Sequence, residues 1–225
     1  MYLTKMPLNR RRRGAIRMLS NPQVMHAAIA SAFPPGSLAE AGGRALWRID
    51  THGRDEISLF IVSPTEPDLT HIVEQAGWQT GAAWQTRDYS PVLDGLRVGS
   101  RYSFRLRANP VHSIRRGSSR DTKPVAHVTV RYQEQWLADR AHKHGFAVVS
   151  GPYDVPSLSV VERGVMRFGK DGGRKVTIAH ATFEGVLEVT DAALLRRALC
   201  EGIGRAKAYG CGLITLAPVA AVSAG

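Results

Sequence analysis

Cysteine is scarce in this sequence: Cys200 and Cys211 are the only two in 225 residues. They form no metal-ligand pattern, and so low a number points to a reducing cytoplasm rather than a disulfide-stapled exterior. No apolar run reaches the roughly 20 residues of a membrane span, so no membrane partner is expected. The N-terminus, "MYLTKMPLNRRRRG", places its charges after a short semi-apolar start, the reverse of a secretory signal. There is no HExxH, no Cys/His cluster and no evident set of convergent carboxylates. Neither a metal nor another cofactor is therefore expected. No low-complexity basic tail of the ribosomal kind is present either.

Acidic residues are also in short supply, 19 against 30 Lys and Arg, which leaves a formal charge of +11 and a pI near 10.3. Such an excess favours an anionic partner. Its distribution is uneven. Residues 1–94 hold 10 cationic and 9 anionic side chains, residues 95–225 hold 20 and 10. The field therefore belongs to the C-terminal part, spread through patterned sequence as on a folded basic surface. The short run Arg10 to Arg13 is the exception and reads as a loop.

Hydrophobic periodicity gives one element order twice. "YLTKMPL" reads as a strand and "NPQVMHAAIASAF" as a helix with Ser20 or Asn21 as cap and Pro22 in its first turn. "RALWRID" and "EISLFIVSP" follow as strands, then a helix from Asp68 and a weaker strand near "WQTRDYSPVL". The second part repeats this with "RYSFRLRANP", the helix "YQEQWLADRAHKHGF", the long hairpin "LSVVERGVMRFG" and "RKVTIAHATFEGVLEV", a helix over 191–201 and a strand over 213–219. The expectation is an α+β protein of two tandem ferredoxin-like (βαββαβ) domains, 1–94 and 95–225. Each would be a four-stranded antiparallel sheet with helices on one face.

Near the end, "RRALCEGIGRAKAYGCGLITLAP" places Gly202, Gly204, Gly210 and Gly212 around Arg205 and Lys207. Nucleotide-binding glycine loops follow a strand and open a helix. Here the loop follows a helix and opens a strand, and the spacing G-x-G-x5-G-x-G fits neither the P-loop nor the dinucleotide fingerprint. That argues against ATP and NAD. It leaves a polyanion backbone, or a tight connection carrying surface cations.

The same stretch, extended to "TFEGVLEVTDAALLRRALCEGIGRAKAYGCGLITLAPV", closely resembles the CRISPR-associated endoribonuclease family CasE, the repeat-processing nuclease of type I-E systems. "MYLTKMPLN", "NPQVMHAAIASAFPPG", "VAHVTVRYQEQWLADRA" and "LSVVERGVMRFGK" fit the same family, so the resemblance spans almost the whole chain. It implies metal-independent cleavage of precursor CRISPR RNA at the base of the repeat hairpin. It also implies retention of the product and incorporation into Cascade beside that complex's other subunits, with the free protein a monomer. The family's catalytic histidine maps to His26 in "NPQVMH". Gln23 departs from the family, whose members often carry tyrosine three residues before that histidine.

Cleavage without a metal needs a proton carrier and cations around the phosphorane, while the 2′-OH attacks to leave a 2′,3′-cyclic phosphate and a 5′-OH. Histidine carries protons near neutral pH, and Arg and Lys supply charge. His26 is the candidate carrier, although its place beside Met25, Ala28, Ile29 and Ala32 would also suit a histidine at a helix edge. Ser31 and Ser37 are candidates for catalytic support, or simply caps. His142 and His144 read as surface residues. For RNA, the candidates are Arg115, Arg116, Arg120 and Lys123 in a polar loop, Arg163, Arg167, Lys170, Arg174 and Lys175 in the long hairpin, and Arg205 and Lys207 in the glycine loop. The rival to an enzyme is a non-catalytic RNA-binding subunit of the same fold.

Overall fold

The computed structural model describes residues 1–53, 56–79, 83–115, 122–151, 156–170 and 173–219. Two antiparallel sheets organise them. In the first, β1 (Tyr2–Leu8) lies between β3 (Glu56–Ser63) and β4 (Gln85–Asp88), and β2 (Leu46–His52) forms the edge beyond β3. Along β1, Thr4, Met6 and Leu8 are fully buried while Lys5 is exposed, the period-2 alternation of a strand with one covered face.

Two helices, not one, connect β1 to β2 on that face, followed by the single turn α3 (Ser37–Glu40). α1 (Arg13–Ser20) ends at Asn21, whose side chain then caps α2 (Pro22–Ala30) by accepting from Gln23 N at 3.0 Å. The Arg10–Arg13 run is therefore not wholly a loop: Arg13 opens α1, which buries Ala15 and Met18. Arg12 donates to the carbonyls of Val73 and Gly77, at 3.2 Å each, and to that of Glu74. Those carbonyls close the C-terminal end of α4 (Thr70–Ala76), that of Val73 also accepting from Gly77 N at 2.9 Å, and there a cation meets the negative end of the helix dipole. α5 (Ser90–Asp94) then leads out of the first sheet.

In the second sheet β5 (Arg101–Ala108) is flanked by β11 (Ile214–Pro218) and the 16-residue β10 (Arg174–Val189). The far edge of β10 is shared end to end by β8 (Phe146–Val148) and β9 (Leu158–Lys170). α6 (Val130–Ala141) and α7 (Ala192–Glu201) cover one face with Trp136, Leu137, Leu195, Ala198 and Leu199. Asp191 caps α7, accepting from Leu194 N at 2.9 Å, and Gly202 ends it. The stretch around 112–123, expected as a loop, instead forms the hairpin β6 (Val111–Arg115) and β7 (Thr122–Ala126), with residues 116–121 outside the described set. Both sheets carry the ferredoxin-like strand order. The second adds β6, β7 and β8 to the unit.

The sheets meet through the edge strand β2. Leu46 and Val62 belong to the same apolar core as Phe104, Phe146, Phe183 and Leu213. Beside them lies Arg48, 2 % exposed and fully satisfied. It holds Asp50 in a two-point pair at 2.7 and 2.8 Å, then crosses to the other sheet, donating to Arg105 O (2.8 Å), Leu213 O (3.1 Å) and Thr215 Oγ1 (2.9 Å). Arg105 approaches Asp50 in turn and pairs with Glu184. A buried guanidinium is tolerated only with such complete pairing, and breaking it leaves a stranded charge.

Candidate active site and nucleic-acid interface

His26 lies on α2 between the buried Met25 and the exposed Ala27, so α2 packing fixes the ring at the edge of the core, half-buried. Its ring meets Tyr209 edge-on, with centroids 6.2 Å apart. Tyr209 belongs to a 3-10 turn, Lys207–Tyr209, and is held from behind by Phe168 of β9 at 4.8 Å. The glycine loop thus reaches across to the first sheet. All four glycines have positive φ, from 76° to 96°. A Cβ on Gly210 would stand 2.7 Å from the ring of Trp47, and one on Gly202 3.0 Å from Leu46. Only glycine permits both the conformation and the approach.

A cavity of about 150 Å³ opens beside His26, lined also by Arg44, Lys207, Ile29 and Leu38. Burial pulls the Lys207 ammonium below its usual range, and the neighbouring Arg44 adds to that. Two cations from opposite halves of the chain therefore converge beside an imidazole. Crowded cations of this kind favour an anion between them, and a proton carrier next to bound phosphate is the minimum set for acid–base attack on RNA.

The predicted residues are not gathered in one place. Ser31 and Ser37 do not line the His26 cavity; their hydroxyls donate to Ala27 O at 3.1 Å and Pro34 O at 2.8 Å. Arg163, Arg167 and Lys175 are exposed and share one face of the β9–β10 hairpin, opposite the face on which Phe168 and Ile178 pack against Cys211. Arg163 also donates to Val128 O at 3.3 Å, at the approach to α6. Arg174 is exposed at the start of β10, and Lys170 pairs with it in register at the end of β9. Arg115 and Lys123 occupy the paired strands β6 and β7, whereas Arg116 and Arg120 lie outside the described residues.

Arg205 and Lys207 part company. Between them Ala206 takes φ +60°, the one positive-φ non-glycine among the described residues, and Arg205 lines a different cavity from Lys207. His142 is exposed as expected. His144 is instead half-buried, and burial together with the nearby Lys207 lowers its pKa. Sequence reasoning missed Arg44, Tyr209 and the buried His180. On His180, Arg107 closes to 3.0 Å, and burial plus that cation lower the imidazole to about 4. Arg107 alternates with Phe104 and Leu106 along β5, and that alternation alone signalled which face it takes. Among the described residues no group of His, Cys, Asp and Glu converges to hold a metal ion, and no helix is long and apolar enough to cross a membrane.

A family model described as "CRISPR associated protein" matches residues 1–218. The CRISPR-associated endoribonuclease Cse3 of Thermus thermophilus is 32% identical over 224 residues, covering 97% of this chain and all of Cse3. The Cascade subunit CasE of Escherichia coli is 34% identical over 128 residues, 55% of this chain and 61% of CasE. Among solved structures, Cse3 bound to a 19-nucleotide RNA superimposes with a TM-score of 0.79 at 30% identity, over 96% of this chain and 99% of that one. Thermus thermophilus Cse3 with an RNA representing a pre-cleavage complex gives 0.78, at the same identity, over 96% and 98%. A match of this extent, across both sheets and the glycine loop, means that the chain belongs to the CasE/Cse3 family of type I-E CRISPR-associated endoribonucleases.

Proposed function

We propose that this protein is an endoribonuclease that cuts precursor CRISPR RNA at the base of the repeat hairpin and stays on the product as a subunit of Cascade. The reading rests above all on His26 facing Lys207 and Arg44 across one small cavity. It is supported by relatives named as a CRISPR endoribonuclease and a Cascade subunit.

In this reaction the ribose 2′-oxygen attacks the adjacent phosphorus. The P–O5′ bond breaks, a 2′,3′-cyclic phosphate forms, and the departing oxygen takes a proton to become a 5′-OH. His26 carries the proton, and Lys207 and Arg44 hold the non-bridging oxygens, whose charge grows in the transition state. Gln23, one helical turn from His26, brings no phenol to this chemistry. Arg163, Arg167 and Lys175 supply one broad face for the stem, gripping phosphates and shape because the A-form major groove is closed to side chains. The site works in the cytoplasm, where transcripts of the repeat arise.

The test is incubation with the repeat RNA of the same genome in excess EDTA. One cut with a 5′-OH on the downstream fragment is expected, and none when the 2′-OH before the cut is replaced by hydrogen. Tight binding with no cut would instead establish the non-catalytic reading. A 5′-phosphate product would mean water attack.

A further inference from the structure

The glycine loop has a second side. Where Lys207 faces His26, Arg205 turns the opposite way into a separate cavity of about 140 Å³, lined also by Asn109, His112, Ser113 and Arg140, with Gly204 on the edge of Trp136. Arg205, Arg140 and His112 bring nitrogens to that wall, while Asn109 Nδ2 already donates to Ala179 O at 2.5 Å. Arg140 is pinned there: its guanidinium lies 4.4 Å over the Trp136 ring and donates to Trp136 O at 3.2 Å, while Trp136 Nε1 donates to Val111 O at 3.2 Å. A preset guanidinium loses little freedom on meeting an anion. The nearby carboxylate, Asp139, is not part of the wall and accepts from Gln135 Nε2 at 2.7 Å. The volume is well under the roughly 300–1,000 Å³ of small-molecule sites, so a phosphate-sized group fits and a whole nucleoside does not.

At the rim stands a row of rings. His112 and His127 lie 4.6 Å apart and tilted, and Tyr132, largely exposed, continues the row at 6.1 Å from His127. Burial and the neighbouring His112 both lower the His127 pKa, which favours the uncharged ring at that position. The carbonyl of His127 is held by Gln133 Nε2 at 2.9 Å, which fixes the row to the first turn of α6. Cations beside flat rings are how proteins hold single-stranded nucleic acid, with phosphates on the charge and bases on the rings. A base-paired stem cannot use such rings, because its bases are already stacked.

We propose that this cavity is a second phosphate subsite, in which Arg205 and Arg140 take one backbone phosphate of an unpaired segment flanking the repeat hairpin while its base stacks on the His112–His127–Tyr132 row. The inference rests on the RNA-processing reading above and extends it. The loop is then held on both sides, by the reacting phosphate at Lys207 and by a strand phosphate at Arg205. The positive φ of Ala206 sends the two cations in opposite directions, strain of a kind that clusters at functional loops.

The test uses the full-length protein with His26→Ala, so that the RNA stays whole. The repeat hairpin with both flanks is made as a series, each member carrying one uncharged methylphosphonate linkage. One linkage in an unpaired flank should cost about 10-fold in affinity, as expected for a charge-assisted hydrogen bond, and less than about 2-fold once Arg205→Gln is introduced. Arg205 is exposed on the loop, so this replacement leaves the fold intact; Arg140→Gln should give the same coupling at the same linkage. His112→Ala should remove the advantage of a flank base over an abasic site at that nucleotide. No coupled linkage, or a coupled linkage inside the stem, overturns the subsite while leaving the nuclease reading standing. Competition by a polyglutamate peptide that depends on Arg205 would assign the cavity to a protein partner and overturn it too. A hairpin that is neither bound by this protein nor cut by the unsubstituted one would overturn both readings.

Discussion

The two sheets of this protein share a strand order and almost nothing of their electrostatics. The first contributes a histidine on a short, well-capped helix and carries nearly balanced charge. The second carries the cations on a hairpin and a loop. Two arginine-rich segments sharpen the contrast. In the first part, Arg10 to Arg13 is the densest cationic run in the sequence, yet Arg12 is committed to the carbonyls that end α4. In the second part, Arg163, Arg167 and Lys175 are scattered in sequence but share one exposed face of a hairpin. Adjacency along the chain and adjacency on a surface are different properties, and a strand with its period of two separates them.

That division of labour can be broken experimentally, and His26→Ala should do most. The cleavage rate is expected to fall by about 10² to 10⁴, the usual effect of removing a positioned acid or base, with hairpin affinity within about 2-fold. Single-turnover rates beside equilibrium binding give both numbers, and near-normal cutting would remove His26 from the chemistry. Next comes Arg163→Gln, Arg167→Gln and Lys175→Gln together. Affinity should drop steeply, and the log–log salt slope should flatten by roughly 0.7 to 0.9 for each phosphate that is no longer neutralised. A fall in the saturated cleavage rate with affinity intact would place these cations at the reaction and not on the stem.

Arg12→Ala is a smaller effect on a different quantity. Removing its hydrogen bonds to the end of α4 should cost about 1–3 kcal/mol of stability, some 2–4 °C in Tm per kcal/mol, with RNA affinity unchanged. Arg11→Gln with Arg13→Gln should leave both where they are. The reverse pattern would put RNA on the first sheet. A last effect is set by pH. The folded His180 imidazole sits near 4 against an ordinary 6.5, so the unfolded chain binds the extra proton between those values. Stability from this group is therefore complete above about pH 6.5 and lost as pH falls toward 4. Tm measured across that window should decline, and His180→Gln should flatten the decline.

Much of the fold is legible in the sequence, for local reasons. β9 and β10 follow from two long runs rich in β-branched and aromatic residues, and Asn21, Asp191 and Gly202 mark helix ends by their own chemistry. What the sequence hides has equally physical causes. α1 is obscured because the arginines preceding it drown a short Ala15–Met18 stripe. β6 and β7 are polar strands whose partners are only each other. α5 and β8 are too short to show a period. At the site, His26 stands out through the family motif and Lys207 through the glycines. Arg44, Arg140 and Tyr209 carry no local mark, because each gains its role only where distant segments are folded against one another.

Arg48 has a consequence for how the cleft handles its RNA. Three of its five hydrogen bonds land on the opposite sheet, at Arg105, Leu213 and Thr215. A hinge between the sheets would have to strand that charge in a dry interior, which opposes a change in the gap between His26 and the glycine loop. Any bending needed to bring the 2′-oxygen in line with its phosphorus falls to the nucleic acid. If the cleft cuts repeat RNA as proposed, selectivity includes a mechanical component: a repeat whose stem ends in a junction that yields easily is favoured over one equally stable but stiff.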